Sequence, residues 1–110
     1  MRTLDVKFTP EARARILQFL ASIRDYEPTL TLMKGGTGSD PELRWSYGAY
    51  APKNLEVLGL EFQRLGHPLL YSVDSLRVAI PQYQFVPELE GKTLGLGKGG
   101  LTVHIREPGV

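Results

Sequence analysis

At 110 residues the chain is long enough to bury a core of its own and too short for two, so it reads as a single domain over residues 1–110. Thirteen Lys and Arg stand against twelve Asp and Glu, a net charge of +1 with the signs interspersed, which leaves no basic footprint for nucleic acid or an anionic membrane. The absence of cysteine excludes disulfides, catalytic thiols and thiolate-held metals, and the short apolar runs, with no signal-peptide core in residues 1–5, lead to the expectation of a soluble, cytoplasmic protein.

Residues 4–8 (LDVKF) alternate apolar and charged, the pattern of a strand with one buried face. Thr9, Pro10 and Glu11 then form a helix start: a hydroxyl N-cap, a proline where no N–H partner is needed, and an acid at the positive end of the dipole. Ile16, Phe19, Leu20 and Ile23 follow at three- and four-residue spacing, so the helix is amphipathic and packs one face on a sheet, ending by Pro28. Residues 29–33 (TLTLM) read as a strand, 35–41 as a glycine-rich break, and 44–50 (RWSYGAY) as a strand with Trp45, Tyr47 and Ala49 on one face. Residues 51–54 read as a turn. In 55–64 the alternation of Leu58, Leu60 and Phe62 favours a further strand.

Residues 69–73 and 76–80 flank Asp74 and Ser75 as a two-residue hairpin stopped by Pro81. A short helical turn over 87–91 with a glycine end leads into two last strands, 92–96 and 101–105, joined by a glycine-rich turn. One early helix followed by many short strands predicts an α+β domain with a mixed, mostly antiparallel sheet.

Candidate sites are few. Gly35, Gly36, Thr37, Gly38 and Ser39 form the candidate ligand or partner loop, yet Asp40, Pro41 and Glu42 follow where a phosphate loop needs a helix and a Lys-Ser or Lys-Thr pair. Gly95 to Gly100, centred on Lys98, matches no phosphate-binding spacing and reads as a hairpin loop. His67 and His104 are the only histidines and the weak candidates for a metal, lacking a local carboxylate at ligand spacing. Ser46, Ser72 and Ser75 have no nucleophile elbow around them, and Glu88 and Glu90 read as a solvated pair. Of the aromatic residues, Trp45, Tyr47, Tyr50 and Tyr71 are expected mostly in the core. Tyr83 and Phe85, alternating with glutamines between Pro81 and Pro87, are expected exposed as a partner surface.

The order of these parts resembles the HesB/IscA-like family of A-type iron–sulfur cluster biosynthesis proteins. The resemblance is carried by "FTPEARARILQFL", by "LTLMKGGTGS" followed by "RWSYGAY", by "YSVDSLRVAIP" in place of a Val-Asp-Gly hairpin, and by "PELEGKTLGL" in place of a Leu-x-Gly turn into a strand. It implies a HesB-like fold and a tendency to self-associate. In that family one cluster-binding cysteine belongs in the glycine loop and two in a Cys-Gly-Cys near the C-terminus. Thr37 stands approximately at the first position, nothing corresponds to the other two, and a hydroxyl is a poor ligand for cluster iron. The expectation is therefore a cysteine-free, non-enzymatic binding or interaction domain without a cofactor, its partner an unidentified protein or small molecule. The alternative is an accessory role in cluster assembly or metal binding through His67, His104 and carboxylates such as Asp40 or Asp74.

Overall fold

The computed structural model describes residues 1–37, 40–97 and 100–105, with the side chains of 36, 37, 40–43 and 105 left out. Gly38, Ser39 and Lys98 lie outside the described residues. The strands are β1 (Arg2–Leu4), β2 (Val6–Phe8), β3 (Thr29–Thr37), β4 (Asp40–Tyr50), β5 (Leu70–Val73), β6 (Leu76–Ala79), β7 (Lys92–Gly97) and β8 (Gly100–Ile105). Two α-helices, α1 (Pro10–Ser22) and α2 (Pro52–Leu65), and a 3-10 helix (Tyr83–Glu88) complete the α+β fold. None of the described helices is long and apolar enough to cross a membrane.

The strands form one sheet in the order β1-β5-β6-β3-β4-β8-β7-β2. β3 with β4, β4 with β8, β5 with β6 and β7 with β8 pair antiparallel, while β1 with β5, β2 with β7 and β3 with β6 pair parallel. β1 and β2 stand at opposite ends of this order yet are separated in sequence by Asp5 alone. Consecutive Cα atoms are about 3.8 Å apart, so the two ends of the sheet must meet at that residue and the sheet is rolled on itself. The strand expected over residues 4–8 is thus two short strands, each serving a different edge.

Three contacts hold the seam. The Asp5 N–H donates to Glu90 Oε2 at 3.0 Å, and the Gly91 N–H donates to the Asp5 carbonyl at 2.7 Å. Farther along, the Phe8 N–H donates to Asp74 Oδ2 at 3.1 Å. Each satisfies a main-chain group that would otherwise be stranded where a strand leaves one neighbour for another.

The two faces of the sheet carry separate cores. Leu4, Val6, Phe8, Leu30, Leu32, Trp45, Tyr71, Val73, Val78 and Leu94 share one, into which α1 inserts Ala12 and Ile16. Thr9 caps α1 as its spelling demands, its hydroxyl accepting from the Ala12 N–H at 3.2 Å. On the opposite face Phe62 of α2 packs against Leu69 and Ala79, flanked by Leu55, Leu58, Tyr50 and Leu70.

α2 corrects two expectations, since residues 51–54 are not a turn and 55–64 are not a strand. Leu55, Leu58 and Phe62 recur at helical spacing and make the buried stripe, whereas Leu60, whose alternation suggested a strand, is 64% exposed. Pro52 occupies the first turn, and Gly66 ends the helix in the left-handed region at φ 77°. The fold therefore has a second α-helix where a single N-terminal one was expected. The glycine-rich break over 35–41 is also shorter than expected. β3 runs on to Thr37 and β4 begins at Asp40, with Gly35 opposite Arg44, Thr37 opposite Asp40 and an irregularity in register between them.

Candidate functional site

The site is built by two chain reversals that meet. The first follows α2: the left-handed turn at Gly66 lets the His67 N–H donate to the Phe62 carbonyl at 3.0 Å, and Pro68 then leads into β5. The second follows β6, where Pro81 stops the strand. Gln82 continues the pairing with its side chain in place of its backbone, accepting from the Lys34 N–H at 2.5 Å and donating to the Lys34 carbonyl at 2.7 Å. That clamp fixes the start of the 3-10 helix, whose tight winding sends neighbouring side chains in different directions.

Tyr83 consequently faces outward and is 40% exposed. It is nonetheless held: the His67 ring stacks on it with centroids 3.7 Å apart and planes at 12°, and Phe62 meets it edge-on at 6.3 Å and 83°. Phe85 turns inward instead. It packs against the core, edge-on to Trp45 at 6.5 Å, with Lys34 Nζ 5.0 Å from its ring centre. Of the two aromatics expected to be exposed, Tyr83 is exposed and Phe85 is half-buried, because a 3-10 turn does not keep residues two apart on one side.

A cleft of about 280 Å³ opens beside Tyr83, walled by His67, Pro68, Val86 and Pro87, with Arg2, Tyr71 and Glu90 completing its lining. A wider, more apolar hollow of about 450 Å³ shares Arg2, His67 and Pro68 with it and continues over Leu55, Phe62 and Leu70. Arg2 Nη2 and Glu90 Oε1 approach to 3.4 Å across the cleft. Tyr71 reaches it from β5 with its body in the core, and burial pushes its phenol above the usual tyrosine value, an effect the Arg2 charge partly reverses. At neutral pH the phenol is a donor.

This burial has a measurable consequence. A phenol that holds its proton more tightly folded than unfolded makes stability fall as pH rises past its ordinary value of 10.0. Urea midpoints should decline above about pH 10, and Tyr71→Phe should flatten that decline. Equal slopes for the two proteins would show that Tyr71 ionises as freely folded as unfolded.

The other sequence candidates are scattered. Gly35, Gly36 and Thr37 belong to the ladder of β3. His104 is exposed on β8, its Nε2 3.0 Å and the Thr9 methyl 3.3 Å from where a Cβ on Gly95 would stand. His67 has different surroundings, between Tyr83 and the cleft. Among the described residues no group of three or more His, Asp or Glu side chains could hold a metal ion. Glu88 and Glu90 are both solvated, at 44% and 37% side-chain exposure, and each has its own partner: Glu88 meets Lys34 Nζ at 2.5 Å, and Glu90 serves Arg2 and the seam at Asp5.

Sequence reasoning missed Arg2, Tyr71, Pro68 and Glu90 as parts of one site. Arg2 and Glu90 are 88 residues apart and meet only because the sheet rolls. The usable signal was Gly-His-Pro at 66–68, a helix stop followed by a ring that the chain must turn outward. No family model, curated protein or solved structure matches the chain.

Proposed function

We propose that the chain is a non-catalytic binding or interaction domain on a HesB/IscA-like scaffold that has lost cluster ligation, and that it works through the cleft at Tyr83. The scaffold reading is supported by the order of the strand, capped helix, glycine turn, aromatic strand and hairpin motifs, and the loss of ligation by the absence of cysteine. The observation that carries the site is Tyr83 itself, an exposed aromatic with its ring already fixed by His67 and Phe62. A ring ordered beforehand gives up little conformational freedom on binding, and concave, mostly apolar surfaces with a few polar groups are where ligands are held.

The test is a screen of small fragments and short peptides followed through the backbone amide signals of the whole chain. Hits should move His67, Tyr71, Tyr83 and Val86 together, and Tyr83→Ala should weaken them about tenfold, the effect expected of an anchoring aromatic. Hits that cluster elsewhere, or that bind Tyr83→Ala as well as the parent, would reject the site.

A further inference from the structure

Hydrogen-bonding capacity in the cleft is unbalanced. The acceptors are in use: Glu90 Oε2 takes the Asp5 N–H at 3.0 Å, and Oε1 faces Arg2 at 3.4 Å. Two donors face the cleft. The Arg2 guanidinium, 58% exposed, meets the Glu90 carboxylate at 3.4 Å among the described residues and turns its other N–H groups to water. The Tyr71 hydroxyl belongs to a residue 1% exposed, yet its acceptor among the described residues is the Pro68 carbonyl at 3.4 Å, well outside the usual O–H···O range of about 2.5–3.0 Å. The His67 ring stacks on Tyr83 and hydrogen-bonds to no described residue. The Tyr71 hydroxyl, partly withdrawn from water and without a short acceptor, is the donor that gains most from a ligand supplying one.

The rest of the lining restricts that ligand further. Pro68, Tyr83, Val86 and Pro87 offer apolar surface, and a volume of about 280 Å³ suits a body of one ring. Resting on the reading of this cleft as a binding site, we infer that it takes a small carboxylate borne on a compact aromatic or apolar body. The carboxylate accepts from the Tyr71 hydroxyl and pairs with Arg2, while the body lies against Tyr83 and the two prolines. A neutral amide of the same shape supplies an acceptor without the charge and brings two more donors to a place already rich in them. An amine supplies donors alone and meets Arg2 as a like charge.

Three isosteric probes separate these cases on the unmodified chain: phenylacetate, phenylacetamide and phenethylamine, each titrated while the amide signals of Tyr71, Tyr83 and Val86 are followed. Phenylacetate should saturate the cleft, phenylacetamide should bind at least about tenfold more weakly, and phenethylamine should leave these signals unmoved. Tyr71→Phe should weaken phenylacetate about five- to tenfold, and Arg2→Gln about tenfold, each keeping the native amide spectrum. Equal binding of acid and amide, or preference for the amine, would overturn the carboxylate inference while leaving the cleft a binding site. No movement of these signals with phenylacetate up to about 10 mM would overturn it as well, and the Tyr83→Ala screen decides separately whether the cleft binds anything.

Discussion

Replacing Ile16 with alanine should cost about 2–5 kcal/mol of stability, read as a fall in the urea midpoint with an unchanged slope. Ile16 is 0% exposed and stands where α1 meets the sheet, in the core shared with Leu4, Val6, Phe8 and Leu94. Removing its outer carbons loses their transfer free energy, and a cavity remains because α1 is fixed in place. Thr9 caps its first turn, the Thr9 N–H donates to the Leu94 carbonyl at 2.8 Å, and Arg13 is tied to the Asp74 hairpin. The helix cannot slide inward to fill the space. Ile16→Val, which removes one methyl, should cost about 0.5–1.5 kcal/mol, and Leu17→Ala, at a position 43% exposed, should stay within about 0.5. A near-neutral Ile16→Ala would mean that α1 lies on the sheet by another face.

The contrast between α1 and α2 explains which elements could be read in advance. α1 opens with a hydroxyl cap, a proline and an acid, and it follows a strand whose end is clear. α2 has Ala51 at its cap with no side-chain hydrogen bond, and Val57 and Leu60 remain exposed on its outer side. Its buried stripe is diluted by exposed apolar residues, so a period of two competes with the period of 3.6. A cap contributes about 1 kcal/mol and is visible locally, whereas α2 gains its stability by covering Ala79, Leu69 and Leu70, which lie on other elements. The same distinction governs the sheet. Alternation in residues 4–8 marks an extended segment, but the exchange of neighbours at Asp5 is set by where Glu90 and Gly91 arrive after the chain has closed.

The site was half legible for the same reason. Tyr83 could be singled out because prolines and glutamines around it mark an aromatic that does not fit a core pattern. Phe85 could not be separated from it, since facing inward depends on the Gln82 clamp to Lys34, a contact over 48 residues. The glycines at 35 and 36 suggested a cradle because glycine is frequent in loops. Their place in an extended hairpin arm follows from pairing across to Arg44, which composition does not encode.

Asp74→Ala should cost about 2–4 kcal/mol, a large effect for one side chain in a two-residue turn. Asp74 and Ser75 both have positive φ, 48° and 68°, as a tight hairpin between twisted strands requires. Alanine in the left-handed region costs about 1–2 kcal/mol, whereas Asp and Asn tolerate it. The Asp74 carboxylate also ends the seam, since Oδ2 accepts the Phe8 N–H where the pairing of β5 with the N-terminal strands has stopped at Leu4 opposite Val73. Leaving that N–H without an acceptor costs about 1–3 kcal/mol. The ion pairs with Arg13 at 3.5 Å and Lys7 at 3.9 Å are partly exposed and add little. Two further variants separate the contributions. Asp74→Asn keeps the backbone preference and an acceptor oxygen and should cost about 1 kcal/mol, while Asp74→Gly keeps the turn and loses the acceptor and should fall between. If glycine proved as stable as the parent, the hydrogen bond to Phe8 would carry no weight, and closure of the sheet would rest on Glu90 and Gly91 alone. If asparagine proved as costly as alanine, the charge on Asp74 would be the part that matters, and Arg13, whose Nη1 also donates to the Asp74 carbonyl at 2.6 Å, would be its partner.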